Sequence, residues 1–420
     1  MAKSAKSQTV HRVSLVVVWV GAAAIVGACD SSGEFGYSAC AVAGPVEPFV
    51  AEDSAGVAVR TTSCAAATAE LGWTIDPIPD LELGGGAAPA VQFSHVAGVA
   101  SLPGRGVAVL DQGARELLYF DAQGRLAARS GRAGAGPGEF ELPFLVRTPA
   151  RDSLLVFDRR LQRFTFYSVQ GAGQLRIERA DQPWLHRTPA PLGIVGARML
   201  IEDISFDYEM FQQSGAVQQD LRFLWVGAGS DDTTVLRTFQ VERLYTVMNK
   251  AGVPHAQSIP FSAYPSAVVS SAGPVITGGS DFEILRFDTA GSLTQVLRVD
   301  RRRNPVRSRD FDTYRMLQSD DGGDVEAAWW RFSDIPLPDS MPAFGSLEVD
   351  RLGWIWAEVF EWDPRKPTSW IVFDADGRAR GSVLMPAGIT VHEIADDHVL
   401  GIWHDEFDVE YVRRYSLARH

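Results

Sequence analysis

Residues Gly131 to Phe140 read Gly-Arg-Ala-Gly-Ala-Gly-Pro-Gly-Glu-Phe, with four glycines and a proline between two segments of short apolar runs. A phosphate loop of the Walker type needs a Lys and a Ser or Thr directly after its last glycine. Gly131 and Gly136 have the right separation, but Pro137-Gly138 stands where that pair belongs. A dinucleotide fingerprint fares no better, because Glu139 occupies its last glycine position after Gly134 and Gly136. Both motifs also need a following helix whose N-terminus meets the phosphates, and Pro143 comes too soon. The stretch is therefore expected to be a tight crossing between two β units, with glycine permitting close approach and Phe140 and Leu142 tucking inward.

The sequence on both sides supports this. From Leu71 onward, apolar runs of a few residues alternate with Gly, Asp and Pro turns. GVAVLD (106–111), LLYFD (117–121), SLLVFD (153–158), FTFYS (164–168), EILRFD (283–288), GWIWAE (353–358) and SWIVFD (369–374) are examples. Such runs signal strands rather than helical stripes. One turn recurs: Phe120-Asp121-Ala122-Gln123-Gly124, Phe287-Asp288-Thr289-Ala290-Gly291 and Phe373-Asp374-Ala375-Asp376-Gly377, with Tyr167 to Gly171 as a variant. An aromatic ends the strand, Asp supports the turn and Gly takes positive φ.

One unit is then a four-stranded meander, and its repetition is the mark of a propeller. Units are expected at 93–139, 140–188, 189–256, 257–306 and 341–385, with a sixth from His392 to Leu417. The sixth has about three strands. The missing one is expected from the N-terminal segment Trp73–Asp76 through Leu81–Leu83, which would close the ring and hide its edges. The expected fold is all-β: a six-bladed β-propeller of four-stranded antiparallel blades over 71–420, with a short helical insertion near 307–336. The turn marker is missing from 172–280, so register there is open, as are counts of five or seven.

GxGPGEF followed by an apolar strand, together with Asp-x-x-Gly hairpins, resembles the six-bladed propeller families related to NHL repeats. The EDSAGV leader, the PxFGSLEVDRLGWIWAE unit and the terminal VLGIWHDEFDVEYVRRYSL resemble one bacterial group of these, largely exported and uncharacterised. The likeness spans about 50–420. It implies a fold and leaves activity open.

The N-terminus resembles a lipoprotein signal. Lys3, Lys6 and Arg12 precede an uncharged run from Val13 to Val26, which ends in Val26-Gly27-Ala28-Cys29. The run is shorter than the roughly 20 residues of a membrane span and fits a signal-peptide core. The expectation is a signal peptide over 1–28, lipidation at Cys29, a tether over 29–70, and attachment to a bacterial envelope membrane on its periplasmic or extracellular side. Ordinary secretion and an uncleaved anchor are the alternatives. Cleavage would remove three cations and no acid, taking the net charge from −13 to −16. Such a charge repels phosphate backbones, so no nucleic-acid partner is expected. Export would permit a disulfide between Cys40 and Cys64, if their sulfurs meet.

No motif carries chemistry. His392, His398 and His404 recur every six residues among Glu393, Asp396, Asp397, Asp405 and Glu406. Turns interrupt that run, so the imidazoles are expected on blade surfaces and the acids in turns, with no metal site and no cofactor. Lactonase-like propellers place Glu, Asn and Asp around a channel cation, but only Asn249 and Asn304 occur here, neither on a clear inner strand. Trp329, Trp330, Trp354, Trp356, Trp362 and Trp370 are expected mainly to fill gaps between blades. The expected function is a binding scaffold for an unidentified protein, small-molecule or glycan ligand. A metal-dependent hydrolase or lyase acting in the central channel is the alternative. Catalytic residues remain unassigned.

Overall fold

The computed structural model describes residues 40, 47–85, 91–148, 153–171, 173–179, 190–205, 208–227, 232–248, 252–319 and 335–420. Cys29 and the signal segment lie outside these residues, as do Asn249, Trp329 and Trp330.

The chain begins with strands β1 (Phe49–Ser54) and β2 (Val57–Ser63), helix α1 (Cys64–Thr68), then β3 (Thr74–Ile75) and β4 (Leu81–Gly84). A first meander follows: β5 (Val96–Ser101), β6 (Val107–Asp111), β7 (Glu116–Phe120) and β8 (Leu126–Ser130). The second is β9 (Pro143–Val146), β10 (Ser153–Asp158), β11 (Arg163–Ser168) and β12 (Gln174–Arg179). The third has five strands: β13 (Ala190–Val195), β14 (Arg198–Ile204), β15 (Gly215–Val226), β16 (Thr233–Met248) and β17 (Pro254–Ser258). The fourth is β18 (Ser266–Ser270), β19 (Gly273–Thr277), β20 (Glu283–Phe287) and β21 (Leu293–Asp300). Helix α2 (Ser308–Ser319) separates it from the fifth: β22 (Phe344–Val349), β23 (Ile355–Val359), β24 (Thr368–Phe373) and β25 (Ala379–Met385). The sixth is β26 (Ile389–Ile394), β27 (His398–His404) and β28 (Glu410–Ala418).

Among the described residues these strands form six sheets, each a sequential antiparallel meander. Two receive strands from the N-terminal region. β3 and β4 both pair antiparallel with β28. β2 runs parallel to β21, and β1 pairs on its outer side. Part of the expected tether is thus laid onto the fourth sheet. Cys40 and Cys64 form a disulfide at its end.

The first strands of the sheets touch in chain order, β5 to β9, β13, β18, β22 and β26, and β26 also touches β5. Apolar side chains fill the gaps between successive sheets. Ala108, Leu110 and Tyr119 meet Phe140, Leu154 and Val156 between the first and second, and Trp356 and Trp370 meet Val391 and Val399 between the fifth and sixth. Both tryptophans are almost fully buried, in keeping with the role expected for them. The second strands β6, β10 and β19 are buried at nearly every position, so they read as near-continuous apolar runs instead of strict alternation.

The Gly131–Phe140 stretch crosses from β8 to β9 and binds itself. Glu139 accepts the Gly136 amide at 2.7 Å and pairs with Arg132 at 2.8 Å. Backbone bonds from Phe140 to Arg132 and from Gly134 to Phe140 close the loop. Arg163 of β11 donates to the carbonyls of Ala135, Gly136 and Glu139. Phe140 is fully buried. Downstream, Asp158 accepts the amides of Glu141, Leu142, Arg160 and Leu161. The recurrent turns work as expected: Asp121 accepts from Gln123 and Arg125, and Asp374 from Asp376 and Arg378.

Candidate functional site

A cavity of about 350 Å³ lies where the first strands converge, with lining residues from β5, β9, β13, β18, β22 and β26. Much of its wall is apolar, with Val99, Leu145, Val146 and Val268 among the lining residues. Set into it are Ser101, Arg147, Glu348, Arg351, His392 and Glu393.

Arg147 follows β9 and pairs with Glu348 of β22 through both guanidinium nitrogens, one at 2.6 Å. The pair links the second and fifth sheets, which share no strand pairing. The Glu348 side chain is 3% exposed and that of Arg147 37%, so the carboxylate is enclosed while the guanidinium keeps contact with the cavity. Burial alone would lower the Arg147 pKa, but the charge and hydrogen bond of Glu348, with Glu393 contributing, hold it above its ordinary value.

His392 occupies a bulge in β26, where pairing with β27 slips between Val391 and Glu393. A bulge re-aims side chains, and here consecutive residues His392 and Glu393 both line the cavity. Desolvation, then the nearby Arg147 charge, push the imidazole pKa down to about 4. His392 is therefore neutral at pH 7, and it has no hydrogen-bond partner among the described residues. Glu393 accepts the Ser101 amide at 2.7 Å and pairs with Arg351 at 3.1 Å.

At the rim, Ser101 Oγ lies 2.8 Å from His398 Nε2, and His398 Nδ1 lies 2.6 Å from Asp397 Oδ1. Asp397 also pairs with Arg105. Burial lowers the His398 pKa despite the neighbouring Asp397 and Glu393 carboxylates, and Arg414 adds to the lowering. Burial opposes the Asp397 charge, but His398 and Arg105 hold its carboxyl below the usual range.

The histidine run is thus divided among three environments. The expectation of imidazoles on the surface fails for two of them. His392 lines the cavity and His398 is 4% exposed between the first and last sheets, because β26 and β27 are inner strands here. His404 stays 41% exposed and 3.6 Å from Glu410. Glu393 lies on a strand rather than in a turn, whereas Asp405 caps its own turn by accepting from Phe407 and Val409. Among the described residues no three His, Cys, Asp or Glu side chains group as metal ligands. Asn304 lies in the connection after β21, away from the cavity lining.

Sequence reasoning passed over Ser101, Arg147 and Glu348. The available signal was a charge at the inner end of an apolar strand, as in PFLVR and FGSLEV.

A second cavity of about 340 Å³ borders Glu202 and Tyr264. Tyr264 donates to Glu202 at 2.7 Å. Burial raises the Glu202 carboxyl.

No family model matches the chain, and no curated protein matches it. Solved structures are similar at low identity. A member of the DUF4221 family from Bacteroides vulgatus is 10% identical, covers 83% of this chain and 99% of its own, and has a TM-score of 0.44. Virginiamycin B lyase from Staphylococcus aureus is 10% identical over 82% of this chain and 99% of its own, at a TM-score of 0.37. Regucalcin, a calcium-binding protein from Agrobacterium tumefaciens, is 10% identical over 78% and 92%, at 0.35.

Proposed function

We propose that this chain is an exported bacterial lipoprotein whose six sheets are the blades of a six-bladed β-propeller, working as a binding scaffold for a small polar ligand in the central cavity. The pairing of β3 and β4 with β28 supports closure of the ring by the N-terminal segment. The lipobox-like Val26-Gly27-Ala28-Cys29 supports an anchor at Cys29, and the Cys40–Cys64 disulfide fits an oxidising compartment. No helix among the described residues is long and apolar enough to cross a membrane.

One observation carries the binding role. Six first strands surround a partly open cavity of mixed apolar and polar lining that holds an Arg–Glu pair and a neutral imidazole with an open hydrogen-bonding capacity. Apolar walls with a few placed polar groups are the ordinary make-up of a small-molecule site. The test is native mass spectrometry of the full chain in detergent, mixed with small-molecule fractions of envelope extract. A 1:1 adduct that weakens on the order of 10-fold in His392→Ala and in Arg147→Met is expected, the usual scale for losing one buried polar contact. An adduct equally strong in both variants would place the ligand elsewhere. Cys29→Ser should abolish incorporation of labelled lipid; retained label would refute that anchor.

A further inference from the structure

The geometry points to a second capability, beyond binding: Ser101, His398 and Asp397 form a metal-independent nucleophilic relay at the cavity rim that cleaves small carboxylic esters through an acyl-Ser101 intermediate. Nucleophile, base and orienting acid are recognised by contacts and roles rather than by sequence order. Here the two contacts measure 2.8 Å and 2.6 Å in series. An ionised Asp397 fixes the proton on Nδ1, which leaves Nε2 to accept from the Ser101 hydroxyl. Ser101 is half-buried at the end of β5 and lines the cavity, whereas His398 is 4% exposed. The base is thus shielded from bulk water while the nucleophile borders open space. Ser101 and His398 come from the first and last sheets, so the relay exists only where those sheets meet.

In the forward step, Ser101 Oγ bonds to the ester carbonyl carbon while Nε2 takes its proton. The carbonyl electron pair moves to oxygen. Collapse breaks the carbon–alkoxy bond, and the alcohol leaves with the proton from Nε2. Water then attacks the acyl carbon and yields its proton to Nε2. The carboxylic acid departs, and the proton returns to Oγ. Ester and water become acid and alcohol, with no other reactant. The Ser101 amide is already bonded to Glu393, so it is not available to the oxyanion. Arg351, which holds the other side of Glu393, and Arg147 are the cations among the cavity-lining residues.

The test is labelling of the purified full chain with a fluorophosphonate, mapped by peptide mass, alongside p-nitrophenyl acetate hydrolysis. One adduct at Ser101 is expected, absent from Ser101→Ala. Labelling and hydrolysis should fall on the order of 100-fold in His398→Gln, the usual scale for a general base. No adduct at Ser101, undiminished labelling of Ser101→Ala, or an unaffected but folded His398→Gln would each overturn the relay. His398 is buried, so its variant could fail to fold, as circular dichroism would show. The wild-type pH profile then decides. The groups facing His398 are Ser101, Asp397, Glu393 and Arg414. With the imidazole pKa lowered, labelling should hold constant from pH 8 to below the ordinary histidine value of 6.5 and fall only there. A rate that instead climbs steadily with hydroxide over that range would exclude His398 as the base.

Discussion

The crossing between the first two sheets and the wall of the central cavity handle charge in opposite ways. In the crossing, Glu139 is met by Arg132 and by an amide of its own loop, and Arg163 by three loop carbonyls. Most of these polar groups are consumed locally, within the loop and the neighbouring β11. At the cavity wall, Arg147 and Glu348 reach each other from different sheets, and His392 faces the cavity without a hydrogen-bond partner among the described residues. The glycine-rich segment that looks most like a motif is thus structural. The residues placed to meet a ligand are single polar side chains in apolar strands, which no motif marks.

The largest effect should come from the closed side of this comparison. Asp158 is 1% exposed and accepts four backbone amides, two at the end of the crossing and two in the β10–β11 turn. Asp158→Ala leaves those donors without their acceptor. A loss of about 4 kcal/mol is expected in urea unfolding, at about 1 kcal/mol or more for each stranded donor. A loss under about 1 kcal/mol would mean that water replaces the carboxylate, and that the crossing is less closed than its hydrogen bonds imply.

The cavity wall should show itself through pH. The folded pKa of His392 is depressed from 6.5 to about 4 by desolvation and Arg147. As pH falls below 6.5, the unfolded chain takes the proton first, so protonation favours unfolding. The stability that His392 contributes is complete above pH 6.5 and is lost between there and pH 4. The full span is worth about 3 kcal/mol. His392→Gln removes that titration, so the stability difference between wild type and variant should shrink or reverse from pH 7 to pH 4. Parallel pH curves for the two proteins would show that the imidazole is solvated, and would remove the contrast with the crossing.

The two regions were also unequally legible. The meander units, the Asp turns and the strand donated by Leu81–Leu83 follow from local chemistry: alternating run lengths, a carboxylate that caps, a glycine at positive φ. The third sheet was obscure because its turns lack that marker, and it carries the extra strand β17 and the long β15–β16 ribbon. The cavity was obscure for a different reason. Arg147 and Glu348 are 201 residues apart, and Ser101 and His398 are 297 apart, so only the folded chain brings them together. The imidazoles of His392, His398 and His404 were expected on blade surfaces, but a slip in strand pairing that no local pattern announces puts His392 into the cavity wall, and His398 is buried between sheets distant in sequence.

The smallest effect separates close packing from backbone conformation within the crossing itself. Gly131 and Gly353 both hold positive φ, 92° and 79°. A methyl group on Gly353 would meet nothing within 4 Å, whereas one on Gly131 would lie 2.5 Å from the Phe140 ring and 2.9 Å from the Arg115 carbonyl oxygen. Gly353→Ala should therefore cost about 1 kcal/mol, the strain of a left-handed residue alone. Gly131→Ala should cost about 2 kcal/mol, since the Arg115 backbone cannot swing aside as a flexible side chain could. Paired urea denaturation of the two variants measures the difference. If both lose the same stability, the Phe140 ring and the neighbouring backbone yield without cost. The glycine would then be required at Gly131 for its dihedral angles alone, and the close approach in the crossing would contribute nothing to its specification.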